Sequence, residues 1–139
     1  MQLSTVGAEL LLLVPPHPEL FSATQFEQLA GPLGGVVMMT TNFSAIRGQP
    51  GPTSPLNWMR DSLAALRPQE SSQRKLMATL PMLGWDFQLP NGPGVPLHAA
   101  GYLQLLSRES PERFDWHAEA AEHVFSYMKD GTKHSVYCT

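Results

Sequence analysis

A chain of 139 residues with 42% hydrophobic and 15% charged side chains can bury a core of domain size and is too apolar and evenly charged for a disordered or coiled-coil composition. Its net charge of -3 provides no basic field for phosphate backbones, so nucleic acid is not an expected partner. The single cysteine, Cys138, excludes an intrachain disulfide and a cysteine-rich zinc site.

In chain order, the opening MQLSTVGAELLLLVPP lacks a basic n-region and carries Glu9 ahead of a short apolar run, so it does not read as a signal peptide. No window reaches the roughly 18 apolar residues of a membrane span. Leu10 to Val14, Val36 to Met39 and Leu76 to Leu80 are continuous apolar runs, the pattern of parallel strands covered on both faces. After the first run, Ser22 or Thr24 offers an N-cap for a short helix with Phe26, Leu29 and Ala30 on one side and Gly31 as its stop. After the second, SAIRGQPGPTSP predicts a loop, then a helix with Ser54 as cap and Pro55 at its first position. Leu56, Met59, Leu63 and Leu66 form one face of that helix, and Pro68 closes it. After the third run, PMLGWDFQLPNGPGVP predicts a long loop, followed by a helix from His98 to Leu106. A final helix is predicted over Trp116 to Lys129, with Asp115 as cap and Gly131 as terminator, and HSVY as a last strand.

Alternating strands and helices predict an α/β fold with a parallel sheet. The long loops follow the strands, so a functional surface is expected at their carboxyl ends, where Thr41, Asn42, Trp85 and Asp86 stand. An indole wall with amide and carboxylate partners suits sugars, whose faces are partly apolar and whose rims are hydroxyls. The same Thr and Asn equally suit a plain strand end and turn. HAEAAEH, His117 to His123, departs from the H-x-x-E-H metal pattern at its first position and reads as a solvated helix face. The Asn42 sequon, NFS, reads as incidental. No G-x-S-x-G, P-loop or dinucleotide fingerprint occurs, so no cofactor is expected.

Several stretches together, FEQLAGPLGGVVMMTTNFS, QPGPTSPLNWMR, KLMATLPMLGWDF and the tail FDWHAEAAEHVFSYMK, resemble the second half of a glycoside hydrolase family 18 barrel, within it the stabilin-interacting, chitinase-like branch. The resemblance implies a partial (β/α)8 TIM barrel over residues 9–139, about strands 5 to 7 plus the segment before strand 8, with residues 1–8 as a non-matching extension and an alternative start. It implies that the family's acidic D-x-x-D-x-D-x-E motif, carried on the fourth strand, is absent. The family's Tyr and Asp after the sixth strand fall on Thr41 and Asn42, and a seventh-strand Tyr falls on Leu83. No catalytic residue is therefore expected, since the substrate-assisted reaction still needs a protein acid to protonate the leaving oxygen.

The implied function is binding of a chito-oligosaccharide-like saccharide by Met39, Thr41, Asn42, Trp85 and Asp86, without metal or cofactor. A protein partner of the stabilin type, or a protein-interaction fragment without sugar binding, is the alternative. The resemblance implies a secreted or lysosomal parent family, and without a signal peptide the location of this chain is left open. A half barrel would leave two raw sheet edges, so the isolated chain is expected to be marginal, aggregation-prone or completed by self-association.

Overall fold

The three continuous apolar runs form strands β1 (Leu11–Val14), β2 (Gly35–Met38) and β3 (Leu76–Ala78), which pair in parallel in the order β1-β2-β3. The computed structural model describes residues 7–109, 111 and 113–139, which fall into two units. The predicted extension 1–8 lies outside the described residues for its first six positions. The first unit holds the parallel sheet and comprises residues up to Thr40 and Trp58–Thr79.

Helix α1 (Ala23–Ala30) starts at Ser22, whose hydroxyl accepts from Gln25 N while Gln25 Oε1 accepts from Ser22 N at 2.8 Å. This reciprocal capping box chooses Ser22 over Thr24. Phe26 and Ala30 then face Val14, Val36, Met38 and Leu66 in one buried cluster. Helix α3 (Leu56–Ala65) presents Leu63 to the same cluster; its first helical residue is Leu56, one later than Pro55. Glu27 Oε1 accepts from Gln69 N and the Ser72 hydroxyl, tying α1 to the connection before β3.

The expectation that both sheet faces are covered is corrected. One face rests on the helices, whereas Leu11, Leu13 and Met77 on the other remain 48%, 58% and 37% exposed. Successive strand residues point to opposite faces, so a continuous apolar run describes what both faces could bury without supplying the second layer.

The second unit, residues 41–57 and 80–139, departs further from the sequence reading. It contains the short helix α2 (Phe43–Ile46), strands β4 (Leu83–Gln88) and β5 (Gly94–His98), and helix α4 (Ala99–Glu109). Strands β6 (Phe114–His117), β7 (Glu122–Lys129) and β8 (Thr132–Cys138) follow. The five strands form an antiparallel sheet in the order β5-β4-β8-β7-β6. The stretch PMLGWDFQLPNGPGVP is therefore a hairpin rather than a loop. The predicted helix Trp116 to Lys129 is instead β6, a turn and β7. Asp130 and Gly131 both have positive φ, 50° and 76°, the backbone of a two-residue hairpin turn whose twist matches its strands. Gly131 reverses a hairpin here; it does not end a helix.

The fold is thus mixed helix and sheet, with a three-stranded parallel and a five-stranded antiparallel sheet, rather than one continuing parallel sheet. Register assigns the faces of the second sheet. Trp85, Tyr137 and Val124 lie in line on one face, and Asp86, Val136 and Phe125 on the other. The second face carries α4, with Leu105, Phe125, Tyr127 and Val136 buried and Tyr102 packed beside them.

Candidate functional site

The end of β2 explains its polar residues in part. Thr40 is fully buried; its hydroxyl donates to Thr79 O at 2.7 Å and its N–H donates to Thr79 Oγ1 at 2.9 Å. Those bonds fasten β2 to the end of β3 in the first unit. Met39, 40% exposed, donates its N–H to Val14 O.

In the second unit, Thr41 is half-buried and Asn42 adopts the left-handed conformation at φ 62°, which Asn tolerates better than most side chains. Asn42 is the N-cap of α2, its carbonyl accepting Ile46 N at 2.9 Å, but its side chain makes no capping bond. Its Oδ1 instead accepts the Trp85 indole N–H at 3.2 Å. Trp85 and Phe87, two apart on β4, share a face, with ring centroids 6.2 Å apart and planes 26° apart; Tyr137 meets Phe87 edge-on. Beside them lies a cleft of about 410 Å³ lined by Ala45, Gly48, Trp85, Phe87, Asn91 and Gly94 among others. A Cβ at Gly94 would lie 2.6 Å from the Phe87 ring and 2.9 Å from the indole, so glycine leaves these rings their places.

Asp86 takes the opposite face of β4. Its Oδ2 accepts from the Tyr127 hydroxyl at 2.5 Å, and its Oδ1 lies 3.0 Å from His134 Nδ1. The Tyr127 and His134 rings stack 4.9 Å apart. Burial, and then the Asp86 carboxylate, push the Tyr127 phenol well above its usual range.

Of the five residues expected to bind, Asn42 and Trp85 are joined directly, with Thr41 adjacent in the chain. Asp86 is turned away from the indole into a polar cluster, and Met39 belongs to the first unit. The sequence reading missed Phe87, Gly94, Tyr127 and His134; period-two alternation through GWDFQ was an available signal for Phe87 beside Trp85 and for Asp86 on the other face.

It missed Glu122 as well. This fully buried carboxylate accepts Thr53 N at 2.7 Å and Ser54 N at 2.5 Å. Burial raises its acid above the usual range, opposed by those two N–H donors and by His117. Among the described residues no cluster of three His, Cys, Asp or Glu could hold a metal, and no helix is long and apolar enough to cross a membrane.

No family model matches the chain. Solved structures do. A chitinase from Chromobacterium violaceum ATCC 12472 superposes with a TM-score of 0.80 at 22% identity over 98% of this chain. The putative sporulation-specific glycosylase ydhD from Bacillus subtilis gives 0.80 at 19% over 98%. The fold is chitinase-like. The Group IV chitinase of Ostrinia furnacalis extends the likeness at a TM-score of 0.66 and 19% identity over 95% of the chain. This chitinase-like chain covers 44%, 47% and 45% of those three proteins respectively, less than half of each.

Proposed function

We propose that this chain is a catalytically inactive, carbohydrate-binding, chitinase-like domain of the glycoside hydrolase family 18 type. In this reading β1, β2 and β3 are strands five to seven of a (β/α)8 barrel, and the antiparallel unit is the segment before the eighth. The open apolar face bearing Leu11, Leu13 and Met77 supports it, because that face would line a barrel interior.

The observation that carries the binding reading is the Trp85 indole, partly buried beside an open cleft and oriented through its N–H by Asn42. Trp85 stacks on a pyranose face, and Asn42 and Thr41 meet amide or hydroxyl groups of a chito-oligosaccharide. Asp86 contributes indirectly, as the anchor that holds β4 to Tyr127 and His134. Met39, which the resemblance sets beneath the sugar, is not required. Two observations support inactivity: D-x-x-D-x-D-x-E occurs nowhere in the chain, and the residues lining the cleft include no acid or base.

Titration with chito-oligosaccharides, followed by tryptophan fluorescence, tests binding. A saturable change in the wild type that disappears in Trp85→Ala is expected, and no change at millimolar ligand removes the reading. Hydrolysis of a chitobiose-linked substrate by the purified chain would overturn inactivity.

The exposed Leu11, Leu13 and Met77 side chains also favour a second reading, a protein-interaction surface, of which the stabilin-type partner is one case. Trp85→Ala leaves that interaction intact while abolishing sugar binding.

A further inference from the structure

We infer that Glu122 is the positioning residue of the Trp85 cleft, acting through the loop that carries Asn42; this deepens the binding reading and rests on it for its functional meaning. The argument begins in the sequence Pro52-Thr53-Ser54-Pro55. Proline has no N–H, so this stretch offers just two backbone donors, those of Thr53 and Ser54. Both go to one carboxylate: Glu122 Oε2 accepts the first and Oε1 the second.

Thr53 passes the constraint on. Its carbonyl accepts the N–H of Phe43 at 2.8 Å, and Phe43 follows Asn42, whose Oδ1 holds the indole. The route is thus Glu122, Thr53, Phe43, Asn42, Trp85, three hydrogen bonds and one peptide link within the second unit. Register explains its geometry. Val124 is in line with Tyr137 and Trp85, and Glu122, two residues before Val124 on β7, shares their face. A loop rich in glycine and proline lacks a ladder of its own, so a buried carboxyl group with two convergent backbone donors sets its place on the sheet.

The test reads Trp85 directly and needs no sugar. In uniformly 15N-labelled protein, the Trp85 indole N–H is assigned by its loss in Trp85→Phe, and its solvent exchange is measured in wild type, Glu122→Gln and Glu122→Ala. Glu122→Gln keeps the shape and one acceptor but sets an NH2 group against the second N–H. Its expected result is indole exchange about tenfold faster, with the Thr53 and Ser54 amide resonances displaced and the strand amides of β8 still protected. Glu122→Ala accelerates exchange further. Indole exchange unchanged in Glu122→Gln, while the Thr53 and Ser54 amides shift, would overturn the inference; should the alanine variant fail to fold, the glutamine variant decides alone. Wild-type protein that shows the coupling but no saccharide binding retains the positioning role and loses the sugar reading.

Discussion

Tyr127 shows how a single residue couples burial to pH. Its phenol is held protonated by burial and by Asp86, so its folded value lies above the ordinary one of about 10. A group raised in this way contributes its stability in full below the unfolded value and loses it as pH rises from there toward the folded one. Wild-type protein is therefore expected to lose stability as pH climbs above about 10, and Tyr127→Phe to flatten that decline in urea-unfolding midpoints. Glu122 is raised as well, with burial as the leading cause. Its folded form takes up a proton more readily than the unfolded chain, so its contribution is greatest in acid and falls as pH rises through the folded value. The difference in unfolding midpoint between wild type and Glu122→Gln should accordingly narrow from about pH 4 upward; a constant difference would contradict it.

At the scale of elements, α1, α3 and α4 were legible because their signals are local, whereas the short α2 lies largely in a stretch expected to be a loop. The cap candidates Ser22 and Thr24, and the spacing of Phe26 and Ala30, lie within one or two turns and mark α1, with the Ser22–Gln25 capping box fixing its start. Replacing Ser22 by Ala should cost about 1 kcal/mol, and Phe26→Ala about 3–5 kcal/mol through the cavity it leaves beside Val14 and Val36. Thermal or urea unfolding of the two variants checks the order. The strands of the antiparallel sheet were misread for a specific reason. Asp115 suits a helix cap and Gly131 a helix stop, whereas the Asp130-Gly131 pair, at positive φ in both positions, is a stronger hairpin signal. Gly131→Val should disturb the β7–β8 turn because a β-branched residue resists that conformation, visible as lost amide protection at the turn.

At the scale of the molecule, the parallel sheet has β1 and β3 at its edges and one open apolar face. Exposed strand edges and apolar surface together promote pairing with another chain. The purified chain is expected to sediment as concentration-dependent oligomers, and Leu13→Lys combined with Met77→Lys to shift it toward monomer. A wild type that stays monomeric and unfolds cooperatively would refute this.

By itself the sequence determined the apolar strands β1 to β3, the apolar side of α1, the positions of α3 and α4 within a few residues, and the polar turn at Thr41 and Asn42. These are recorded in side-chain periodicity and turn chemistry over a few neighbouring residues. Only the tertiary structure decided that Asn42 meets Trp85, that Asp86 turns the other way toward Tyr127 and His134, and that Glu122 holds Thr53 and Ser54. Those partners lie 43, 41, 48 and 69 residues apart, with Ser54 at 68. Local pattern carries no record of such pairings; sheet register does, since a shift of one residue would exchange the indole and the carboxylate between faces.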